Sequence, residues 1–397
     1  MPQLDSLRTF AVFAVMLHHF WPEATFNLPL GFVGVQLFFV LSGFLITGIL
    51  WPAREAVQSG RWRARTVFGR FYARRFLRIF PLFYGTLAVL AVLGIAEVRD
   101  SLPWHLSYLS NFYFAMLGWF PLHIAHLWSL AVEEQFYLVW PFVIVLTPRR
   151  FLLPALVTIA AIGPASRWIG GLLEVDWMWT FTPSYSNVDS LALGGILAYG
   201  WATEGPASAP KALRRGRAEA CWGDDASEGG ASLRARMAWV GGWIGAPLVI
   251  GLSALSVLHM SLGMVHAVFE YTIWAIFFVW LIDGAARGFT GVPGRVLELR
   301  PLLYLGQISY GLYVFHPLMI SLARWGFSRL EQPYPENPAV MFVFLIAGTI
   351  ALAALSWHFY EKPLNDLKRR FDFRFATAEH EVATDIPDLG STLEHLR

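Results

Sequence analysis

Arg8 and His19 stand inside the first hydrophobic stretch of the chain, residues 7–20. Charged and titratable side chains are costly in a bilayer, and those found there usually serve a function. The eleven steps from Arg8 to His19 turn an α-helix through about 1100°, within about 20° of three full turns. The two side chains therefore share a helix face, about 16 Å apart along the axis, and His18 points about 80° away. The competing explanation is local: Arg8 reaches back to the cytoplasmic headgroups and His19 rests at an interface.

Other hydrophobic stretches carry further candidates. Glu133 and Glu134 lie within residues 127–147, and His126 precedes Glu133 by seven residues, on the same helix face. His316 lies within 301–323 and Ser42 within 31–51. Counting about 1.5 Å per residue from the ends of the stretches places His19, the two glutamates, Ser42 and His316 at similar depth, as for a lined cavity. Bland roles are also open. A carboxylate can bond Trp128 or a tyrosine, His316 can cap the carbonyl freed by Pro317, and Ser42-Gly43 can serve close helix packing. Arg74, Arg75 and Arg78 abut the third stretch, either as a topology signal or as a grip on phosphate. The chain has no His-Glu-x-x-His motif and one cysteine, Cys221, so no metal site is expected. It also lacks a phosphate-binding Gly-x-x-x-x-Gly-Lys loop, and its basic patches are short and local, so neither ATP-driven pumping nor nucleic-acid binding is expected.

The elements that must hold these residues follow from composition. The 397 residues are 56% hydrophobic and 15% charged, with 18 Trp and 32 Phe. That is too apolar for a soluble chain to cover. The expected fold is all-α, a polytopic membrane helix bundle of about ten spans near 7–24, 31–51, 77–96, 127–147, 151–167, 190–202, 238–258, 264–283, 301–323 and 339–359. Arginines at 54–78, the 149–150 pair, the 203–237 and 284–300 connections and residues 368–370 fall on one side, which puts both termini in the cytoplasm. A basic leader with a small-residue cleavage site is not visible, so the first span is expected to be retained. Residues 102–119 read as a further span or as a re-entrant segment. Residues 1–366 are expected to form one membrane domain with a flexible loop at 203–237, where Cys221 falls, followed by a polar cytoplasmic tail at 367–397.

Taken together these residues resemble the acyltransferase-3 family of polytopic membrane O-acyltransferases. The resemblance runs in order along residues 4–366. It starts with Leu4-Asp5-Ser6-Leu7-Arg8 followed by ten residues and His19, then Gly34-Val35-Gln36 through Ser42-Gly43-Phe44-Leu45, then Arg74-Arg75-Phe76-Leu77-Arg78. It continues with His126-Leu127-Trp128-Ser129 through Glu133-Glu134-Gln135, Ser309-Tyr310-Gly311 through His316-Pro317, and Tyr360-Glu361-Lys362-Pro363. Gln36 stands where many relatives have Asp, and Asn187 where many have Arg. The extracytoplasmic hydrolase-like domain of some members is not expected here. The resemblance implies a multi-pass protein of the bacterial cytoplasmic (inner) membrane that moves an acyl group, often acetyl, from cytoplasmic acyl-CoA to a hydroxyl of an envelope saccharide or glycolipid. Acyl-CoA enters as a substrate, with no bound cofactor, and the partners are the saccharide or glycolipid acceptor and membrane lipid. In that reading Arg8, Arg74, Arg75 and Arg78 hold the donor. His19 acts as base or carries the acyl group, with Glu133 or Glu134 beside it, and Ser42, His126, Trp128 and His316 line the acceptor side. The rival class is a polysaccharide or lipid transporter with Arg8 and His19 as a relay. A scaffold would leave the intramembrane charges without purpose.

Overall fold

The computed structural model describes residues 1–121, 123–204, 232–260, 262–333 and 335–371. Among the described residues the chain is helical, with no strand. In order come α1 (Pro2–Phe20), α2 (Leu30–Gln58), α3 (Ala64–Val92), α4 (Ala96–Arg99), α5 (Leu102–Leu106), α6 (Ser110–Leu117), α7 (Leu127–Leu146) and α8 (Arg149–Leu172). There follow α9 (Trp177–Phe181), α10 (Ser184–Thr203), α11 (Leu233–Val257, with a π turn at Gly241–Gly245), α12 (Met264–Arg287), α13 (Gly291–Leu297) and α14 (Arg300–Gln307). Last are α15 (Ser309–Arg329), α16 (Pro338–Asp366, with a π turn at Trp357–Glu361) and a 3-10 turn at Leu367–Phe371.

Seven of these helices, α2, α3, α7, α8, α11, α12 and α16, are long and apolar enough to cross a membrane. Their outer faces are what lipid requires. On α16, Val343, Phe344, Leu355 and Phe359 are exposed, while Met341, Leu345, Thr349 and Ala353 face inward. The chain is a multi-pass membrane protein. The expected count of ten is not reached, because the stretches at 7–24, 190–202 and 301–323 became helices too polar to qualify. α1 carries Asp5, Arg8, His18 and His19, and α10 carries Ser186, Asn187, Asp189 and Ser190, all four fully buried. The stretch at 301–323 is broken at Ile308 into α14 and α15. These polar helices are wrapped by the apolar ones: α10 packs on α2, α8 and α12, and α1 on α2, α14 and α15.

Other boundaries also moved. α3 begins at Ala64 rather than near 77, so the basic run from Arg65 to Arg78 is helical, and Arg54 is a buried residue of α2 whose guanidinium donates to the Ile144 carbonyl. The 203–237 loop ends early, because Ser232 accepts from the Ala235 amide at 3.1 Å and starts α11. Cys221 lies outside the described residues. Within 102–119 the helices α5 and α6 have five and eight residues. Eight residues rise only about 12 Å, so this segment holds no helix that crosses.

Two devices seat α10 against its neighbours. Gly43 of α2 and Gly194 of α10 let the backbones touch: a Cβ on Gly43 would lie 1.8 Å from the Leu191 carbonyl oxygen, and one on Gly194 2.1 Å from that of Val40. Gly43→Ala should push the crossing apart, at about 1–3 kcal/mol. A loss of monodisperse, folded protein in detergent is expected, and wild-type stability in that variant would refute the close crossing. The second device is a buried ion pair. Arg167 of α8 meets Asp189 at 2.8 Å with side-chain exposures of 1% and 0%. Arg167 also donates to the carbonyls of Val268 (2.7 Å) and Ser186 and to Thr272 (2.9 Å), and Thr272 donates to Asp189 at 2.6 Å. Its guanidinium lies 4.5 Å from the Tyr271 ring centroid. Charge and donors are thus matched inside the bundle.

The two departures from the family pattern meet each other. Gln36 donates to Asn187 Oδ1 at 3.1 Å and accepts from Ser190, with both amides fully buried. A neutral amide pair thus ties α2 to α10 at this level.

Candidate active site

α1 is stitched in place along its first half. Gln3 exchanges hydrogen bonds with the Phe289 backbone (3.0 and 2.7 Å) and donates to Glu298 (2.9 Å). Ser6 and Thr9 donate to the carbonyls of Leu297 (2.5 Å) and Leu302 (2.6 Å). Arg8 is paired with Asp5 at 2.9 Å, one turn earlier. This anchoring aims Arg8 into a cavity of about 90 Å³, room for several waters. The cavity is also lined by Phe38, Phe39 and Ser42 of α2, Arg75 and Arg78 of α3, Ser129, Glu133, Glu134 and Tyr137 of α7, and Ser309, Tyr310 and Tyr313 of α15.

Inside it, Tyr137 donates to Ser42 at 3.1 Å and Ser42 donates to Glu133 Oε1 at 2.5 Å. Tyr137 follows Glu133 by one helical turn, so both reach the same face. Glu133 is thereby fixed in direction, whereas no hydrogen bond within the described protein holds Glu134, and its carboxylate also borders a second cavity. That cavity, of about 430 Å³, is lined by Tyr72, Phe76, Phe80, Tyr108 and Leu138 and shares Arg75, Glu134 and Tyr137 with the first. Arg75 lies 5.0 Å from the Tyr137 ring centroid. The first cavity thus brings three cations, two carboxylates and six hydroxyl-bearing side chains together, a lining that can hold an anionic head and an amide-bearing arm.

The histidines form a separate group. His19 and His316 rings have centroids 4.9 Å apart, and His316 and His126 rings 5.4 Å. His19 Nδ1 lies 2.9 Å from the Val15 carbonyl oxygen. A carbonyl can only accept, so Nδ1 carries a proton, and in the neutral ring Nε2 keeps its lone pair. His316 Nδ1 likewise donates to the Tyr313 carbonyl at 2.7 Å, leaving its buried Nε2 without a hydrogen-bond partner among the described residues. Among the same residues both buried nitrogens of His126 also lack one. His316 and His126 are buried, while His19 is exposed on the far side of the group. Among the described residues no set of three or more His, Cys, Asp or Glu side chains is placed to hold a metal ion.

The expected single level is therefore two. The depth count took residue 126 as the outer membrane face. In the structure His126 meets His316, which meets His19, so the glutamates lie about 10 Å further along α7, beside Arg8 rather than beside His19. Between the levels stands Tyr313. It lines the cavity, its hydroxyl is 2.5 Å from that of Ser129, and its ring lies 5.5 Å from His316 and 5.7 Å from His126. Trp128 lies outside the cavity lining, tilted against Phe181 (5.0 Å) and edge-on to Phe39 (6.1 Å), and Arg74 borders a neighbouring cavity. His18 packs over Gly31. Tyr137, Ser129 and Tyr313 were missed as site residues. The usable signal was their spacing, Tyr137 four after Glu133 and Tyr313 three before His316.

The family model described as an acyltransferase domain, that of the acyltransferase-3 family, matches residues 1–358. The chain belongs to this family. It is 27% identical over 393 residues to the peptidoglycan O-acetyltransferase OatA of Listeria monocytogenes, a match covering 91% of this chain and 55% of that protein. It is 27% identical to the O-acetyltransferase OatA of Staphylococcus aureus, covering 92% and 57%. It is 30% identical to the putative peptidoglycan O-acetyltransferase YrhL of Bacillus subtilis, covering 91% and 54%. The chain thus spans about half the length of the curated relatives it matches. No solved structure matches it.

Proposed function

We propose that the protein is a membrane O-acyltransferase of the bacterial cytoplasmic membrane, carrying an acyl group, acetyl in the first instance, from acyl-CoA to a hydroxyl of an envelope glycan. The observation that carries the reading is one helix, α1, with Arg8 in a cation-lined cavity and His19 three turns on with Nε2 free to accept a proton. The relatives named for peptidoglycan favour a cell-wall saccharide, or a glycolipid precursor of one, as acceptor.

Both termini are placed in the cytoplasm, with the arginine end of the cavity facing it. Arg8, Arg75 and Arg78 then meet the nucleotide end of acyl-CoA, with Arg74 beside them. Glu133, aimed by Ser42 and Tyr137, accepts an amide N–H of the pantetheine arm, and Glu134 adds a second acceptor. The thioester reaches the histidines when the Ser129–Tyr313 contact parts. His19 Nε2 takes the acceptor proton as the hydroxyl oxygen bonds to the thioester carbonyl carbon. The carbon–sulfur bond breaks, and the proton passes from His19 to the departing thiolate. In the two-step alternative Nε2 of His19 bonds to the thioester carbonyl carbon as the thiolate leaves; the acceptor oxygen then takes the acyl carbon as the C–N bond breaks, and its proton passes through the freed imidazole to the thiolate. His316 and His126 hold the ring from behind.

Glu133→Ala should raise the KM for acyl-CoA by about 10- to 100-fold, from the loss of a charge-assisted hydrogen bond of about 1.5–3 kcal/mol, with a smaller change in kcat. Steady-state kinetics at varied donor check this, and an unchanged KM would remove Glu133 from the donor path. The reading as a whole is tested by thiol release from acetyl-CoA by the purified protein with a crude envelope-glycan extract. Release that depends on the extract is expected. No thiol release from folded protein with any acyl chain would move the reading to transport, with Arg8 and His19 as a relay.

A further inference from the structure

We propose that Lys368 completes, with Arg75 and Arg78, a phosphate-binding site at the cytoplasmic end of the α1–α3–α7 cavity, and that this site takes the nucleotide phosphates of the donor. The proposal deepens the acyl-CoA reading and rests on it.

Lys368 is remote in sequence from α3, yet the turn at Leu367–Phe371 packs against that helix. It brings Lys368 to a cavity of about 80 Å³ whose wall also holds Arg74, Arg75 and Arg78. Arg75 and Arg78 line the site cavity as well, so the two spaces adjoin at these residues. Arg75 spends its charge on the rings of Tyr137 and Phe71, at 5.0 and 5.7 Å, and neither Arg75 nor Arg78 forms an ion pair among the described residues. Four cationic side chains thus converge on one small space. Burial, then the nearby Arg78, Arg74 and Arg75, push the Lys368 ammonium down to about 8, against the opposing pull of Asp366. Asp366 offsets part of this positive charge, and a phosphate with several oxygens can bond the guanidinium forks and the ammonium together. A lipid headgroup offers the same phosphate chemistry. The continuity with the cavity holding Glu133 and Tyr137 favours a ligand that threads onward, as the pantetheine arm of a nucleotide thioester does.

The test is equilibrium binding to the full chain in detergent, with coenzyme A and pantetheine as probes, for wild type, Lys368→Ala and Lys368→Arg. Wild type should bind coenzyme A. Lys368→Ala should weaken coenzyme A by roughly tenfold while leaving pantetheine unchanged, and Lys368→Arg should recover most of the loss. Unaltered coenzyme A binding in Lys368→Ala overturns the proposal. So does equal weakening of coenzyme A and pantetheine, which marks a packing role. Nanodiscs with and without phosphatidylglycerol supply the lipid arm: a Lys368-dependent preference for phosphatidylglycerol, with coenzyme A affinity indifferent to Lys368, assigns the site to a headgroup and overturns the nucleotide assignment. If wild type itself binds no coenzyme A, the donor reading falls. If wild type binds and Lys368 is indifferent, only this site falls.

Discussion

His19→Ala lowers acyl transfer by about 10²- to 10⁴-fold at unchanged protein level, the range a positioned general base contributes, whereas His18→Ala stays within a few-fold of wild type. The two residues are adjacent and chemically identical, so the contrast isolates geometry. His19 shares the Arg8 face, donates from Nδ1 to the Val15 carbonyl, and leans on His316 at 4.9 Å, which leaves Nε2 as the basic atom. His18 lies over Gly31, on another side of the helix. Initial rates of glycan acylation in matched membrane preparations check the pair, and equal losses would contradict the face argument. Acid-quenched gels with labelled donor separate the two chemistries, since label retained on wild-type protein and absent from His19→Ala identifies the acyl-histidine route.

Arg167→Ala costs about 3–5 kcal/mol of stability, because it leaves the Asp189 carboxylate buried without its cation. The site lies away from the reacting groups, so the loss appears as unfolding, not as a changed KM. Arg167 forks to Asp189, Thr272 and two carbonyls from two other helices, and a lysine cannot reproduce that planar set of donors. Arg167→Lys should therefore recover little. Arg167→Met with Asp189→Leu should regain much of the loss, since removing both charges also removes the cost of burying them. Denaturant titration in detergent measures all three. A change below about 1 kcal/mol in Arg167→Ala, the size expected of a surface pair, would contradict the buried network.

The helical class, the apolar outer faces and the Arg8–His19 register were legible because each follows from a local period along one helix. Arg8 does line the cavity, as do Arg75, Arg78, Glu133, Glu134 and Ser42. What sequence could not supply is the axial offset between helices. His126 fell at the level of His19 because α7 starts deeper than its hydrophobic run suggested, and that offset separated the glutamates from the histidines. The span count took in α1, α10 and α15, whose polar residues leave them less apolar than the other seven because neighbouring helices cover them. The Arg167–Asp189 pair was not legible, since nothing local shows that an arginine at a helix end turns inward to meet a partner 22 residues later. Lys368 was hidden for the same reason: its partners lie on α3.

The most direct measurement is acetyl-CoA labelled in its acetyl group and supplied only at the cytoplasmic face of sealed inverted vesicles, with an envelope-glycan acceptor enclosed inside. The proposed account predicts labelled glycan in the lumen with wild type and none above background with His19→Ala, while His18→Ala still labels. Labelled glycan formed equally by His19→Ala, or thioester left intact by wild type in tight vesicles, would contradict it.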